Sequence, residues 1–305
     1  MDARLHFNYI WAKLDEEGVR RSVREFLDNG ANRFVITDTL LGQMMEDGEK
    51  IEFFRKVCKD FPVFFSTVHA PCGKYHDLNI PQKELREGLI KDHIRAMEIS
   101  ASFGCRTYTV HVGAAPYCYD KYPLETLRPL AVEAVEKLVP TAEKLGMVIA
   151  VENSFEKPNS AKEVLGIVRH FEGNKAVGVC YDTGHAHCMA SGPGKDKSKY
   201  QPYFPVCWWE NGVEWEDHAL DLLKEKVVTC HIHDNDGYGD LHGMPFDGTI
   251  CWEKLMKDLF SCPNMIDFQT EVCFQSGKNW AGELLAPEGG YSIRKITDTF
   301  RKLGF

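Results

Sequence analysis

The chain has 305 residues, of which 44% are hydrophobic and 27% are charged, and its formal net charge is −9. This composition excludes a fibrous or disordered protein and suits a large α/β domain. The acidic balance and the absence of any Lys or Arg run longer than two argue against a broad nucleic-acid surface, and no apolar stretch approaches the ~20 residues that span a bilayer.

Eight short apolar segments alternate along the chain with longer stretches of helical periodicity. The predicted strands cover residues 5–9, 33–38, 63–69, 106–111, 147–152, 177–182, 227–233 and 267–271. Predicted helices include residues 15–29, 124–145 and 292–303, and Gly30 and Gly146 stand at the C-caps of the first two. Because no composition break or Pro/Gly linker divides the chain, we predict an α/β fold with a single (β/α)8 TIM barrel domain over residues 1–305.

Two predicted loops are longer than a barrel requires. Residues 191–217, after the sixth strand, are rich in Gly, Pro and aromatic residues, and residues 273–291, after the eighth strand, contain Trp280. Loops at the C-terminal ends of barrel strands surround the active site. We therefore predict a lid that carries Trp208 and Trp209, and a facing wall formed by the second loop. Simple burial against the barrel is the alternative role of these aromatic residues.

Residues with metal-ligand side chains occur where the predicted strands end. They are His69, His111, Glu152, Asp182, His185, His233, Asp240, His242 and Glu271. Their spacing from strand to strand averages about 40 residues, the length of one strand–helix unit in an eightfold barrel. A lone strand histidine is often a hydrogen-bonded core residue, but the whole set should converge on one point and indicates a metalloenzyme.

The alternation of side chains along each strand predicts which residues face the barrel interior. It places Glu152, Asp182 and Glu271 at the inner ends of their strands, and it places both His231 and His233 inside. We assign His233, nearer the mouth, as the ligand, and His231, one layer lower, as a residue that orients a neighbour or fills the core. Oxygen and imidazole donors without thiolates favour Mn²⁺, Co²⁺, Zn²⁺ or Mg²⁺.

The motifs around these residues resemble those of the xylose isomerase-like TIM barrel superfamily. They are STVHAP, VHVG, VENS, CYDTGHAH, HIHDND, GDLHGMPFDGTICW and QTEV. That superfamily contains sugar and polyol isomerases and epimerases, inosose dehydratases and the endonuclease IV family of DNA repair enzymes. The resemblance covers about two thirds of the chain; it is specific for the superfamily and weak for the substrate.

In the isomerase and epimerase branch, the resemblance implies one divalent ion held by four residues, here Glu152, Asp182, His233 and Glu271. Glu152 and Glu271 would also transfer a proton through an enediolate intermediate. His185 would bind a substrate hydroxyl. The resemblance therefore implies a divalent-metal-dependent isomerase or epimerase whose partner is a small sugar or polyol.

Two alternatives stay open. A related lyase, similar to inosose dehydratases, would use the same enediolate chemistry. An endonuclease IV-like phosphodiesterase would hold up to three zinc ions with nine residues of the types found here. Five side chains would then be additional metal ligands rather than substrate contacts: His69, His111, His185, Asp240 and His242. The acidic balance of the chain and its HGMPFDGTICW stretch count against this branch.

One contact of the ketose 3-epimerases is missing from the sequence. That branch carries an Arg six positions after the metal-binding His, where this chain has Gly239. The departure argues against ketose 3-epimerase activity, although Asp240, His242 or a lid residue could contact the same hydroxyl groups.

The cysteines and the N-terminal segment bear on the compartment. The eleven cysteines are scattered and include no Cys-x-x-Cys pair, which argues against a disulfide framework and a thiolate zinc site. Residues 1–18 lack a basic start followed by an apolar stretch. We predict a cytoplasmic protein that binds neither a membrane nor nucleic acid, and leave a homo-oligomer open.

Overall fold

Eight parallel strands form a closed barrel in the computed structural model, which describes residues 1–73, 75–113, 122–192, 213–274, 286 and 290–305. The strands are β1 (Leu5–Phe7), β2 (Arg33–Ile36), β3 (Phe64–His69), β4 (Thr107–Val110), β5 (Val148–Glu152), β6 (Val177–Asp182), β7 (Val227–Ile232) and β8 (Asp267–Thr270). They follow one another around the barrel in chain order, and β8 pairs with β1. The predicted (β/α)8 TIM barrel is confirmed.

Helices connect the strands and surround the barrel. In the described part of the chain they are α1 (Glu16–Asp28), α2 (Asp38–Glu46), α3 (Gly48–Asp60), α4 (Lys83–Ser102), α5 (Leu124–Leu145), α6 (Ala161–His170), α7 (Thr183–Met189), α8 (Ala219–Leu223), α9 (Trp252–Phe260) and α10 (Ile293–Lys302). The predicted C-cap glycines, Gly30 and Gly146, have φ angles of 75° and 68°. Glycine adopts this left-handed conformation without strain.

The observed strands match the predicted ones with small differences at their ends. β6 has the predicted bounds, and each of the others is one or two residues shorter. As a consequence, His111, His233 and Glu271 lie one residue beyond β4, β7 and β8, in the segments that form the mouth of the barrel.

The barrel interior below the mouth contains a buried polar layer. Thr107 and Thr229 donate from their hydroxyl groups to the two carboxylate oxygens of Asp267, at 2.7 and 2.6 Å. The amide of Gln269 donates to the hydroxyl oxygens of Thr67 and Thr229 at 2.8 and 3.0 Å. All five residues are at most 2% exposed. Because buried polar groups are costly when left unpaired, this network ties β3, β4, β7 and β8 together.

Several predictions concern segments that the structure does not describe. Trp208 and Trp209 of the predicted lid, and Trp280 of the facing wall, lie outside the described residues. The lid therefore stays a prediction, as does the single domain over residues 1–305. None of the helices in the described ranges is both long and apolar enough to cross a bilayer.

Candidate metal centre

All nine predicted metal-ligand residues lie at the C-terminal mouth of the barrel. His69, Glu152 and Asp182 are the last residues of β3, β5 and β6. His111, His233 and Glu271 directly follow their strands, and His185 lies in the first turn of α7. Asp240 and His242 lie in the segment between β7 and α9. The barrel therefore brings together residues that are up to two thirds of the chain apart.

Four residues form the central donor group. The ligand atoms of Glu152, Asp182, His231 and Glu271 lie within 4.8 Å of one another. Nδ1 of His231 is 3.1 Å from Oε2 of Glu271, 3.2 Å from Oε1 of Glu152 and 3.7 Å from Oδ2 of Asp182. Glu152, Asp182 and His231 are almost completely buried. Three carboxylates at a buried point require compensating positive charge.

Both histidines of the seventh strand lie close to the carboxylates, and the assignment of His233 as the metal ligand stays a prediction. His231 is paired with Asp182 in the register of β6 and β7, and it is His231 that completes the central group. Nε2 of His233 contacts both oxygens of Asp182 at 3.0 Å but is 3.9 Å from Glu271. Side-chain alternation places both histidines inside the barrel; the register between strands, which alternation does not reveal, decides which one is level with the carboxylates.

Two further donor groups flank the central one. On one side, Nε2 of His111 and Nε2 of His69 lie 3.0 and 3.6 Å from Oε2 of Glu152. On the other side is a group formed by His185, His233, Asp240 and His242. There Nε2 of His242 and Nε2 of His185 lie 3.1 and 3.5 Å from Oδ2 of Asp240, so each outer group is arranged around a carboxylate.

Backbone carbonyls fix the orientation of three of these imidazoles. The Nδ1 atoms of His69, His185 and His242 lie 2.8, 3.1 and 2.8 Å from the carbonyl oxygens of Ala70, Asn153 and Glu271. A carbonyl can only accept, so each Nδ1 carries a hydrogen and each Nε2 faces the carboxylates. Metal-bound histidines are commonly oriented in this way.

The carboxylates hold positive charge on the neighbouring imidazoles. Burial opposes protonation of His111, but the charge of Glu152 outweighs it and raises the His111 pKa to about 9. Burial is outweighed in the same way at His242, where Asp240 raises the pKa to about 10. Conversely, despite burial, His242 and its neighbours hold the pKa of Asp240 well below its usual range. The mouth of the barrel is thus built to retain cations.

The donor set fits a divalent metal ion. Four carboxylates belong to the donor groups: Glu152, Asp182, Asp240 and Glu271. In the described part of the chain, every ion-pair partner of these carboxylates is an imidazole rather than Lys or Arg. Nδ1 of His233 and Oδ1 of Asp240 are buried without a hydrogen-bond partner among the described residues. Cys180 lies near the central group, but burial raises the pKa of its thiol to about 12. Imidazole and carboxylate donors without a thiolate suit Zn²⁺, Mn²⁺ or Co²⁺.

Local structure around Asp182 positions several donors at once. Its Oδ1 accepts a 2.7 Å hydrogen bond from the backbone N–H of His185 and so caps α7. Asn153, which was not among the predicted site residues, holds Asp182 through two hydrogen bonds. Its side-chain oxygen accepts from Asp182 N–H at 2.9 Å, and its side-chain NH₂ donates to the Asp182 carbonyl oxygen at 3.2 Å. The available sequence signal for this role was the position of Asn153, a polar residue directly after Glu152 in the VENS motif. Asn153 is 3% exposed.

A cavity of about 300 Å³ adjoins the metal-ligand residues at the barrel mouth. Segments that follow β1, β2 and β8 form its walls. Its lining includes Asn8, Tyr9, Lys13, Thr37, Asp38, His242, Glu271 and Phe274. The mixture of hydroxyl, amide, carboxylate and aromatic groups is typical of a site for a small polar molecule, and Glu271 and His242 connect the cavity to two of the donor groups.

A closed parallel barrel with imidazole and carboxylate groups gathered at its C-terminal mouth defines a TIM barrel with a candidate metal centre. The family model described as xylose isomerase-like TIM barrel matches residues 23–266. The chain therefore belongs to the xylose isomerase-like TIM barrel family, as the sequence motifs predicted.

Individual relatives agree with this assignment. The chain is 24% identical to the uncharacterized protein y4fM of Sinorhizobium fredii over 265 residues, which cover 79% of this chain and 77% of the relative. A D-psicose 3-epimerase crystallised in the presence of D-fructose has a TM-score of 0.70 and 14% identity, covering 98% of this chain and 96% of the other. The IolI protein with a bound zinc atom has a TM-score of 0.66 and 16% identity, covering 99% and 96%. At these identities the two structures establish a common fold.

Proposed function

We propose that the protein is a divalent-metal-dependent isomerase or epimerase that acts on a small sugar or polyol. The observation that carries this proposal is the presence of two glutamates, Glu152 and Glu271, in one donor group with Asp182 and His231. Moving a proton between neighbouring carbons, or between the two faces of one carbon, requires a base that removes it and an acid that returns it. Two carboxylates beside one centre of positive charge can provide both.

The cavity next to the central group supports a sugar-sized substrate. Its volume of about 300 Å³ suits a monosaccharide with associated water. Among the described residues that line it, Lys13 and the protonated His242 are cationic while Asp38 and Glu271 are acidic, so the charges balance. A neutral sugar or polyol suits this lining better than a phosphorylated one, because a phosphate group usually requires several cationic or N–H donors.

The side chains of the central group divide the proton transfer between them. When bound, the divalent ion supplies Lewis-acid stabilisation of the charge that develops on the substrate oxygens. Burial alone would raise the pKa of Glu152 and Glu271, but His231 and its neighbours outweigh burial and hold both below the usual range. Both are therefore ionised at neutral pH. Glu271 lines the cavity and removes the proton beside the substrate carbonyl, which gives the enediolate. Glu152 takes a proton from a substrate hydroxyl group and delivers it to the enediolate carbon, and the proton on Glu271 then replaces the one that the hydroxyl group lost.

Deuterium incorporation tests this proposal directly. Ketoses, aldoses and keto-inositols are incubated in deuterated water with the protein and Mn²⁺, Co²⁺ or Zn²⁺, and carbon-bound deuterium is measured by NMR. Glu271→Gln should lower the exchange rate by about 10²- to 10⁴-fold while Co²⁺ binding largely persists. Asp236→Asn, in an exposed turn near the site, is the matched control. Exchange at the wild-type rate in Glu271→Gln would rule out Glu271 as the base.

The same incubation separates an isomerase from the related lyase. An isomerase or epimerase product has the mass of its substrate, whereas a dehydratase product is lighter by one water molecule.

Ketose 3-epimerase activity remains disfavoured. Counting six positions from His231 rather than His233 reaches Gly237 instead of Gly239, so the Arg of that branch is missing in either alignment.

A second candidate is phosphodiester hydrolysis of the endonuclease IV type. The two outer donor groups favour it, because together with the central group they offer places for up to three ions. The net charge of −9 opposes duplex binding, which relies on Lys and Arg contacts to phosphates. Zinc-loaded protein and duplex DNA with one abasic site provide the test. Strand cleavage at that site, lost in Glu152→Gln, would establish this activity in place of the isomerase.

A further inference from the structure

Asp234 is a buried carboxylate that neither the metal centre nor the proposed proton transfer uses. It directly follows His233 and is 0% exposed. Its Oδ1 accepts hydrogen bonds from the backbone N–H groups of Asn235 at 2.9 Å and Ile250 at 3.2 Å. Its Oδ2 accepts from the backbone N–H of Phe246 at 3.0 Å and the indole Nε1–H of Trp252 at 2.7 Å. Four donors thus converge on one side chain.

The backbone of Asp234 is attached to the same segment. Asp234 N–H donates to Gly243 O at 2.8 Å, and Gly243 N–H donates to Asp234 O at 2.7 Å, in an isolated antiparallel bridge. Gly243 is the neighbour of His242, which belongs to an outer donor group. Asp234 therefore holds one end of the segment 243–252 through its backbone and the other end through its side chain.

The glycines of this segment allow the close approach. A Cβ atom on Gly248 would lie 2.2 Å from Oδ1 of Asp234 and 2.3 Å from the carbonyl oxygen of Asn235. A Cβ atom on Gly243 would lie 2.9 Å from the carbonyl oxygen of Asp234. These distances are far below van der Waals contact, so only glycine at position 248 lets the segment wrap around the carboxylate.

Two non-glycine residues in the segment have left-handed backbone conformations. His242 has a φ of 45° and Phe246 a φ of 76°. The Phe246 side chain is 55% exposed, so its own packing does not account for the strained backbone. Such conformations persist where surrounding contacts determine them, and the hydrogen bond from Phe246 N–H to Asp234 is one such contact.

We propose that Asp234 is a positioning residue that organises the segment 240–252 and thereby holds Asp240 and His242 in the metal centre. The stretch with the pattern His242-x-x-Pro245-x-x-Gly248-x-Ile250-x-Trp252 thus supplies N–H groups that surround this carboxylate. We call this arrangement of donors around Asp234 the cage. The inference rests on the proposed metal centre but not on the proposed reaction.

Replacing Asp234 with Asn tests the cage with almost no change in size. An ionised carboxylate offers acceptors to all four donors, whereas an amide replaces one oxygen with an NH₂ group that faces N–H donors. Asp234→Asn should therefore release part of the segment. Gly248→Ala should act in the same way by displacing the carboxylate. Asp236→Asn is the control, since Asp236 is exposed and accepts from the Tyr238 N–H within its own turn.

Cobalt binding measures the positioning. Metal-free wild type and variants are titrated with Co²⁺ by calorimetry and visible absorption, and His242→Gln identifies the binding that depends on His242. Asp234→Asn and Gly248→Ala should weaken that binding by about 10- to 100-fold, and Asp236→Asn should match the wild type. A wild-type titration curve for Asp234→Asn, with impaired binding in His242→Gln, would overturn the proposal.

Hydrogen–deuterium exchange of the metal-free proteins separates positioning from a loss of overall stability. In Asp234→Asn, peptides that cover residues 240–252 should exchange faster, while peptides from β3 to β6 should exchange as in the wild type. Unchanged exchange over 240–252 contradicts the cage, and faster exchange with normal Co²⁺ binding contradicts the positioning role. A lack of sugar-dependent deuterium incorporation in the wild type would sink the proposed reaction and leave these comparisons intact.

Discussion

Single residues at the barrel mouth are constrained by direct contact, and Gly184 is the sharpest case. It lies in α7, where a Cβ atom would be 2.0 Å from Cε1 and 2.4 Å from Nδ1 of His233. The His233 ring is completely buried and stacks on His242 with 4.2 Å between the ring centroids. The His233 ring therefore cannot move away from an added Cβ atom without displacing its neighbours.

We expect Gly184→Ala to reduce the free energy of unfolding by about 1–3 kcal/mol through overpacking and to weaken metal binding. Gly166→Ala is the control, because Gly166 is helical and the nearest atom to its added Cβ is 3.6 Å away. That substitution should be neutral or stabilise by up to about 1 kcal/mol. Urea unfolding measures both. Equal effects of the two substitutions would show that contact with His233 is unimportant.

His93 makes stability depend on pH away from the metal centre. It is fully buried in α4, its Nε2 faces the His76 carbonyl at 2.9 Å and its Nδ1 faces the Tyr108 hydroxyl at 2.8 Å. Burial lowers the His93 pKa to about 4. The unfolded chain, with a histidine pKa of about 6.5, therefore binds a proton that the folded protein excludes.

The stabilisation from neutral His93 is present above about pH 6.5 and is lost as the pH falls toward 4. The expected loss between pH 7 and pH 5 is about 2 kcal/mol. Comparing urea unfolding of the wild type and His93→Gln at both values isolates this contribution, since other groups titrate in both proteins. The variant should show a shallower decline, and identical declines would exclude His93 as the cause.

At the scale of strands and helices, the sequence predicted the bounds of the elements better than the register between neighbouring strands. Period-two alternation and cap residues located all eight strands to within one or two residues at each end and predicted residues 124–145 as one helix. The choice between His231 and His233 depended on how β7 pairs with β6, which places His231 beside Asp182. Register arises from packing across neighbouring strands, and a single strand carries no record of it.

Asp267 links β8 to two other strands and provides a test of the polar layer. Asp267→Ala would leave the hydroxyl groups of Thr107 and Thr229 without their buried acceptor. We expect the free energy of unfolding to fall by about 2–4 kcal/mol. In Asp267→Asn the amide still accepts from one threonine and donates to the other, so the loss should be smaller. Urea unfolding distinguishes the two variants, and an equal loss would mean that hydrogen bonding is not the cause.

At the scale of the whole molecule, the concentration of carboxylates at one end of the barrel makes a bound cation a source of stability. An ion that binds the folded state alone stabilises it by about 2.7 kcal/mol when its free concentration is 100 times Kd. For a chain of 305 residues we expect Zn²⁺ or Co²⁺ to raise the Tm by about 4 °C over chelator-treated protein. The shift should disappear in His231→Asn. No shift in the wild type would contradict the metal centre.

The shared position of Glu152 has a consequence for the whole site. Its Oε2 faces His69 and His111, while its Oε1 faces His231. One carboxylate therefore takes part in two donor groups. A cation bound by one group changes the affinity of the other group for a second cation. Such linkage is reciprocal: whatever the first occupant does to the affinity for a second, the second does equally to the first. Ions bound to the two donor groups would then not bind independently, and the occupancy of each group would depend on the occupancy of the other.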